Sequence, residues 1–322
     1  MNRRTALGLL AVGAVGACRR TSGVHPTIRV VVAPNISATP LYVADELGFF
    51  ADEGFDVHTQ VIGESLQMVP LVAAGRADVA FSSVTPAAIN IVAKGARVRV
   101  VAARDAAVLG CTHEIHGRRT SFPNGFGHAA ELRGKRVAVT AATSLTAFVL
   151  DLLLESAGLQ TLEVQRLMMR HDQSTAALLA GQLDAAVDMD RNFSSPDIIP
   201  GPSLAELVPG FQYSHIQFGE RLLDGDPGLG TAFLRAYLRG VREYRGGATP
   251  LSLSRLAADA AMHPPAVQSA CRERLPEDGR VDRTTVQRMI DWSVRNGFVN
   301  QPMDAAQIID TRFLEWMATR TS

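Results

Sequence analysis

The feature that most constrains this chain is an internal repeat. Residues 71–83 read LVAAGRADVAFSS, and residues 178–190 read LLAGQLDAAVDMD. Each copy contains an Ala-Gly pair that suits the end of a helix, because glycine adopts the left-handed conformation at low cost. An aspartate and a short apolar run typical of a strand follow in each copy. The repeat therefore predicts helix-to-strand junctions at equivalent places in two similar units.

The similarity between the two halves extends upstream of the repeat. Gly54 and Gly158 each precede a run in which apolar residues alternate, and the apolar segments 28–32 and 136–139 each precede a polar loop and a long apolar helix. This order predicts two α/β lobes in series, each built as strand, helix, strand, helix, strand.

Apolar residues at helical spacing predict helices at 41–47, 65–74, 87–94 and 145–157. In the last of these helices, Asp151 and Glu155 fall on the side that we expect to face solvent. Residues 109–127 are interpreted as the crossing into the second lobe, and the proline-rich residues 196–209 as an irregular return segment. From about residue 213 the sequence is interpreted as helical. We expect these helices to form a C-terminal extension that covers the first lobe.

The first eighteen residues differ from the rest of the chain. Arg3 and Arg4 are followed by an uncharged apolar stretch and by small residues immediately before Cys18. This pattern looks like a bacterial lipoprotein signal, cut before a cysteine that then carries lipid. A plain secretory signal is the alternative, and the paired arginines leave twin-arginine export open. The expected organisation is a signal at 1–18, a linker at 19–27, a first lobe at 28–112 and 213–322, and a second lobe at 116–212.

The composition excludes several classes of protein. Of the 322 residues, 47% are hydrophobic and 20% are charged, which is ordinary for a globular chain with proper cores and argues against disorder. The formal net charge is zero, so no nucleic-acid partner is expected. Three cysteines are too few for a disulfide scaffold, and whether Cys111 and Cys271 pair stays open.

Familiar catalytic and cofactor motifs are missing from the sequence. The glycines of residues 226–230 follow no predicted strand, which removes a dinucleotide interpretation, so no cofactor is expected. Cys111, His113, Glu114 and His116 lie close together, but on an extended segment they alternate between two faces. One ion could not use all four side chains without a turn, and we expect no metal site.

In open α/β sheets, ligands gather beyond the carboxyl ends of the strands, where loops enter helices. Hydroxyl-rich loops occur at matching positions in both halves, and helix N-termini there present unpaired N–H groups to an acceptor-rich solute. The side chains that we predict to line a cleft between the lobes are Asn35, Ser37, Thr39, Tyr42, Ser82, Ser83, Thr85, Thr143, Ser144, Asp188, Asp190 and Phe193.

Several of these residues have a plain structural alternative. Thr39, Thr85 and Ser144 each stand where a helix N-cap is expected. A capping side chain accepts a hydrogen bond from a backbone N–H of its own helix rather than from a ligand. The functional interpretation therefore depends on the loops of the two halves facing each other.

Two further features leave both interpretations open. Asp188, Asp190 and Arg191 follow a predicted strand and could clamp a polar ligand, or Arg191 could neutralise a neighbouring acid. Tyr42, Phe81 and Phe193 could stack on a flat ligand or belong to the core, which is the commoner fate of aromatic residues at strand ends.

With these residues in hand, the chain resembles the substrate-binding proteins of bacterial ABC importers, in the branch that binds aliphatic sulfonates, taurine, nitrate and thiamine-pyrimidine precursors. The resemblance covers nearly all of the chain after the signal segment. It implies a two-lobed periplasmic-binding fold of the second type that closes on a solute and delivers it to a membrane permease. The segments that carry the resemblance are 47–57, 71–80, 131–139, 180–186 and 310–314.

The resemblance implies an exported, lipid-anchored and monomeric solute-binding protein rather than an enzyme, with a sulfonate- or pyrimidine-like solute. Relatives often have Glu-Pro where this chain has Asp190-Arg191, which leaves the ligand open. An enzymatic branch that makes the thiamine pyrimidine carries a cysteine-rich segment, absent here. The alternatives are such an enzyme, centred on His113 or His171, and a sensor-partner protein that binds solute in order to signal.

Overall fold

A computed structural model of the chain contains two five-stranded sheets with helices packed on their faces. The prediction of an α/β chain with two similar lobes is therefore confirmed. The structure describes residues 25–33, 36–63, 65–109, 115–187, 195–247, 251, 254 and 272–319.

The sheet of the first lobe is formed by β1 (Thr27–Val32), β2 (Asp56–Val61), β3 (Val79–Ser82), β4 (Val98–Ala106) and β10 (Gln212–Gly219). Its strand order is β2-β1-β3-β10-β4. β1 pairs in parallel with β2 and β3, and β10 pairs antiparallel with β3 and β4. The β-branched run of β1 is buried as expected of a strand that is covered on both faces.

Helices cover both faces of this sheet, and the apolar residues of each face form a separate core cluster. Helices α1 and α8 pack closely at Gly240, where a Cβ atom would lie 2.4 Å from the carbonyl oxygen of Pro40. Only glycine allows these two helices to approach so closely. The helices of this lobe are α1 (Thr39–Glu46), α2 (Phe49–Asp52), α3 (Met68–Ala73), α4 (Pro86–Ala93), α8 (Pro227–Gly246) and α10 (Arg312–Thr319).

The sheet of the second lobe is formed by β5 (Ile115–Arg118), β6 (Arg136–Val139), β7 (Gln165–Met168), β8 (Ala185–Val187) and β9 (Ile198–Pro200). Its order, β7-β6-β8-β5-β9, repeats the arrangement of the first sheet, with parallel strands on one side and an antiparallel strand, β5, set next to β8. The helices described here are α5 (Leu145–Ser156), α6 (His171–Leu179) and α7 (Leu204–Leu207).

The aspartate of the sequence repeat has the same structural role in each lobe. Asp78 accepts hydrogen bonds from the backbone and the guanidinium of Arg29, at the start of β1. Asp184 accepts the same set from Arg136, at the start of β6. The pairs tie β1 to β3 in the first lobe and β6 to β8 in the second, so the repeated aspartates are structural locks rather than ligand-binding groups.

The predicted helices agree with the structure to within a few residues. Those predicted at 41–47, 65–74, 87–94 and 145–157 are found as α1, as a 3-10 turn followed by α3, as α4 and as α5. One detail is wrong: Thr39 was expected to cap α1, but the helix begins at Thr39 and Ala38 holds the capping position.

Two interpretations are wrong, because each segment contains a strand. Residues 196–209, expected to be irregular, contain β9 and α7, and the segment from about 213, expected to be helical, opens with β10. Residues 109–127, interpreted as the crossing into the second lobe, begin between β4 and β5 and contain β5. All eight residues of β10 are buried, and the strand pairs on both sides. Gln212, Ser214 and Gln217 hydrogen-bond to neighbouring segments, whereas neither ring nitrogen of the buried His215 is hydrogen-bonded to a described residue.

Helix α9 (Arg283–Arg295) also departs from expectation. The C-terminal helices were expected to cover the first lobe, and α8 and α10 do so. In α9, however, Met289 and Trp292 belong to the core of the second lobe. Asp151, expected to face solvent, is only 6% exposed and lies against this helix.

Candidate functional site

Two chain segments connect the lobes, between β4 and β5 and between β9 and β10. They meet where the amide of Ala107 donates to the carbonyl of Phe211 at 2.7 Å and the amide of Gly210 donates to the carbonyl of Ala107 at 2.9 Å. Since β4 ends and β5 begins at this crossing, the parallel strands of both sheets direct their carboxyl ends toward the junction between the lobes. The described loops at residues 83–85, after β3, and 140–144, after β6, therefore lie along this junction.

On the first lobe, this edge carries a buried carboxylate, Asp105, at the end of β4. Its two oxygens accept from Nε and Nη2 of Arg274, each at 2.7 Å, and Oδ2 also accepts from the hydroxyl of Ser37. All three residues are less than 10% exposed. A bidentate pair with a third donor fixes the carboxylate in one orientation.

The neighbouring residue, Arg104, lies against the aromatic side of the same edge. Its Nε donates to the hydroxyl of Ser214 at 2.8 Å, and its guanidinium carbon lies 5.5 Å from the ring centroid of Phe81. Tyr237 meets Phe81 edge-on, with the centroids 5.2 Å apart. Burial raises the pKa of the Tyr237 hydroxyl, which therefore stays protonated. That hydroxyl has no hydrogen-bond partner in the part of the chain that the structure describes.

A second polar group lies on the other face of the sheet. The side-chain amide of Gln217 donates to the hydroxyl of Ser82 at 2.8 Å and reaches the carbonyl of Ser83 at 3.3 Å. His215 pairs with Ser82 in the ladder and is 1% exposed. Burial, assisted by the positive charge of Arg104, lowers the pKa of His215 to about 4, so its imidazole is neutral near pH 7.

The helix N-termini at this edge are capped as the structural alternative predicted. The hydroxyl of Thr85 accepts from the amide of Ala88 at 3.3 Å, at the start of α4. The hydroxyl of Ser144 accepts from the amide of Ala147 at 3.3 Å, at the start of α5. Thr85 and Ser144 therefore stabilise their helices. The other backbone amides in the first turn of each helix have no partner within the helix and are the groups that could donate to a solute.

The residues predicted to line the cleft have different surroundings. Tyr42 is part of the core of the first lobe, and Thr143 is half-buried. Asn35, Asp188, Asp190 and Phe193 lie outside the described residues, as do Arg191, Cys18, Cys111, His113 and Glu114. Seven predicted residues are less than 10% exposed: Ser37, Thr39, Tyr42, Ser82, Ser83, Thr85 and Ser144.

Sequence reasoning missed the charged and polar residues that gather around these hydroxyls. Arg104 and Asp105 did carry a sequence signal, because they are adjacent charges inside the apolar run of β4. Charged side chains in a buried strand indicate that partners are supplied by other segments. The others come from distant segments and carry no local signal. The missed residues are Arg104, Asp105, Ser214, His215, Gln217, Tyr237 and Arg274.

The described ranges contain neither a cluster of metal-binding side chains nor a membrane-spanning helix. No group of three or more His, Cys, Asp or Glu side chains there could hold a metal ion, and His116 is buried in β5. No helix among the described residues is long and apolar enough to cross a membrane.

Two lobes, each with a mostly parallel sheet, joined by two crossing segments define the fold class of the two-lobed periplasmic binding proteins. Solved structures of that class match nearly the whole chain. The aliphatic sulphonate binding protein SsuA from Escherichia coli superposes with a TM-score of 0.72 at 16% identity, covering 90% of this chain and 99% of that one. The nitrate-binding protein NrtA from Synechocystis PCC 6803 gives 0.73 at 12% identity, covering 92% and 89%.

The same fold also occurs in an enzyme. The desulfurization enzyme DSZB superposes with a TM-score of 0.67 at 17% identity, covering 92% of this chain and 100% of the enzyme. A search of the curated proteins found no match. The model of the NMT1/THI5 like family matches residues 35–245, and the chain belongs to this family.

Proposed function

We propose that the chain is the extracytoplasmic solute-binding component of an ABC importer, and that its lobes close on a small polar organic solute, sulfonate- or pyrimidine-like. The observation that carries the proposal is the polar edge of the first lobe. Arg104, Asp105 and Arg274 are held there by fixed hydrogen bonds, at the side of the sheet that faces the second lobe. Side chains that are oriented before a ligand arrives lose little entropy on binding.

The residues that we propose to contact the solute combine the predicted loops with this edge. Arg104 and Tyr237 offer a guanidinium and a phenol next to an aromatic ring, which suits a solute with an acceptor-rich group and a flat or apolar body. Asp188, Asp190 and Phe193 stay predicted contributions from the second lobe. Closure would exclude water from these groups and strengthen their hydrogen bonds.

The proposal is tested by thermal unfolding of the purified chain with sulfonates, nitrate, pyrimidines and amino acids. A solute that binds only the folded chain adds about 2.7 kcal/mol of stability at a hundred times its Kd, so it raises Tm. If no compound in these classes raises Tm, the proposed solute class is wrong.

Two variants localise the site once a solute is found. Arg104→Gln is expected to abolish the ligand-dependent rise in Tm, because it removes a charged donor at the cleft edge. Arg99→Gln is the matched control, since Arg99 lies on the same strand at the opposite end and donates to the carbonyls of Ala96 and Val98. Asp188→Ala tests the predicted clamp: an unchanged rise would remove Asp188 from the site.

We also propose that the chain binds its solute without turnover. The desulfurization enzyme with the same fold defines the alternative, and the enzymatic interpretation of this chain centres on His113 or His171. His171 begins α6, and its carbonyl accepts from the hydroxyl of Ser174 at 2.8 Å. Product analysis after prolonged incubation with each stabilising compound decides the question, because a binding protein returns the compound unchanged.

The proposed location is the outer face of the cytoplasmic membrane. Residues 1–18 act as the export signal, and Cys18 carries the lipid anchor that holds a monomeric binding protein near its permease. Growth with radiolabelled palmitate tests this. The native chain is expected to incorporate label and Cys18→Ala to incorporate none, while label retained by the variant would contradict the anchor.

A further inference from the structure

Helix α9 packs into the cores of both lobes. Val286 and Ile290 belong to the apolar cluster between the first sheet and helices α3 and α4. Met289 and Trp292 belong to the core cluster of the second lobe. All four side chains are no more than 2% exposed. The helix is therefore a non-covalent connection between the lobes, in addition to the two chain crossings.

The contact with the second lobe centres on Trp292. Its indole Nε1 donates to Oδ2 of Asp151 in α5 at 2.8 Å, and its ring meets Phe148 edge-on with centroids 5.4 Å apart. Asp151 is held in turn by Thr161 and Arg166 of the second lobe. The tryptophan thus inserts between groups that the second lobe itself holds in place.

The N-terminal end of α9 holds one of the two crossings. The side chain of Gln212, the first residue of β10, donates to the carbonyl of Arg280 at 2.8 Å and accepts from the amide of Asp282 at 2.8 Å. The preceding residue, Phe211, stacks on Phe148 with centroids 5.4 Å apart. The crossing, α5 and α9 therefore meet on the ring of Phe148.

The segment after α9 is anchored in the first lobe. The side-chain amide of Asn90 in α4 donates to the carbonyl of Phe298 at 2.8 Å. The amide of Val100 donates to the carbonyl of Ile308 at 2.9 Å, and the amide of Asp310 donates back to Val100 at 2.8 Å. Both ends of α9 are held by the first lobe or by the crossing. The contact of Trp292 with the second lobe therefore couples the orientation of the second lobe to that of the first.

We propose that α9 is a hinge brace: the contact of Trp292 with Asp151 and Phe148 holds the lobes at one angle and sets the open–closed equilibrium of the ligand-free chain. This rests on the proposed function in so far as closure serves solute capture. The apparent affinity for a solute falls with the fraction of molecules in the binding-competent conformation. Trp292 is thus a positioning residue that acts on affinity without touching the solute.

The test is small-angle X-ray scattering of the ligand-free full chain with a matched pair of Trp→Phe variants. Trp292→Phe keeps an aromatic ring but loses the N–H donor. One net hydrogen bond corresponds to a shift of about 2- to 10-fold in the ratio of lobe arrangements. The scattering curve is expected to move away from the curve calculated for this structure. Trp316→Phe replaces a 40% exposed indole that contacts Phe313 and Arg312 within α10 by a smaller ring, and it is expected to leave the curve unchanged.

A second variant and a second measurement keep the proposal testable if Trp292→Phe fails to fold. Arg295 pairs with Glu155 across the lobes at 3.0 Å, and both side chains are more than half exposed, so Arg295→Gln is expected to fold. It should shift the same scattering curve in the same direction by a smaller amount. The chain has two tryptophans, so in the Trp316→Phe background Trp292 is the sole indole, and acrylamide quenching reports whether it is docked.

The proposal is overturned if Trp292→Phe, or Arg295→Gln where the former does not fold, gives the native scattering curve. It is also overturned if Trp292 of the folded chain is quenched as readily as free tryptophan. These measurements need no ligand, so they separate the brace from the proposed function. A shifted curve in a chain that binds none of the tested solutes would leave the brace standing and remove the transport interpretation.

Discussion

The two lobes use the same lock in different surroundings. Asp78 is 1% exposed at its side chain and is bound by two guanidinium groups, from Arg29 and Arg221. Asp184 is 15% exposed and is bound by Arg136 and by the hydroxyl of Ser121. The sequence repeat therefore specifies the strand-to-strand tie, while the elements packed around it specify how deeply the charge is buried and how many partners it has.

Both carboxylates are held in their charged form. Burial raises the pKa of Asp78, but hydrogen bonds from Arg29 and the charge of Arg221 outweigh it, and the pKa lies below its ordinary value. The pKa of Asp184 is lowered well below its usual range, since the hydrogen bonds from Arg136 and Ser121 outweigh burial. Each lock is thus fully formed above the unfolded carboxyl pKa of about 3.9 and is lost as pH falls through the lower folded value.

The largest expected effect comes from breaking the two locks one at a time. Asp78→Asn removes the charge-assisted hydrogen bonds of a buried carboxylate, while the two guanidiniums that remain have side chains 42% and 40% exposed, so it is expected to cost about 3–4 kcal/mol in the free energy of unfolding. Asp184→Asn is expected to cost about 2 kcal/mol, because water screens this more exposed site. Urea unfolding at pH 7 measures both. Equal losses would show that burial does not distinguish the locks.

Acid sensitivity is expected to concentrate in the first lobe because of His215. The folded chain keeps this imidazole neutral down to a pH of about 4, whereas the unfolded chain protonates it near pH 6.5. The unfolded state therefore binds more protons between these values, and stability is expected to fall by about 3 kcal/mol from pH 6.5 to pH 4. His215→Leu should remove this part of the slope in urea titrations at pH 7 and pH 4.5. An unchanged slope would assign the acid sensitivity to other groups.

A smaller difference is expected between two tightly packed glycines. A Cβ atom at Gly240 would lie 2.4 Å from the backbone oxygen of Pro40, and one at Gly201 would lie 2.4 Å from the ring of Phe126. Because a ring can rotate away and a helix backbone cannot, Gly240→Ala is expected to cost about 2–3 kcal/mol and Gly201→Ala about 1 kcal/mol. Thermal unfolding compares them. The reverse order would mean that α1 and α8 separate more easily than the ring of Phe126 moves.

The smallest effect tests the two matched helix caps. Thr85→Ala and Ser144→Ala are each expected to cost about 1 kcal/mol. Ser144 should cost slightly more, since its hydroxyl also donates to the carbonyl of Ala141 at 2.7 Å and bonds to Thr146 at 2.8 Å. Differential scanning calorimetry resolves the two shifts in Tm. A larger loss at Thr85 would show that these extra bonds contribute little.

Local sequence patterns predicted much of the fold. The repeat at 71–83 and 178–190 indicated two lobes, and apolar periodicity located most of the helices, because both signals depend on residues a few positions apart. The same reasoning failed at β10, which was interpreted as the start of a helical region. Gln212, Ser214 and Gln217 are buried there with partners from other segments, while burial keeps His215 neutral without a hydrogen-bond partner among the described residues.

The candidate site was predictable only in part. The hydroxyls of Ser37 and Ser82 lie at the expected edge, but the groups that bind them, Asp105 and Gln217, lie 68 and 135 residues further along the chain. Thr85 and Ser144 were correctly given a capping alternative, which the structure shows. The predicted residues of the second lobe after β8 stay a prediction.

By itself, the sequence determined the alternation of strands and helices, the likeness of the two halves and the family. Tertiary structure alone decided that Arg274 binds Asp105 from 169 residues away and that Trp292 reaches Asp151 from 141 residues away. The physical reason is that patterning depends on what each residue prefers locally, in water or in a core. Pairing between distant polar groups depends on which segments the topology brings together, and neither partner signals the other along the chain.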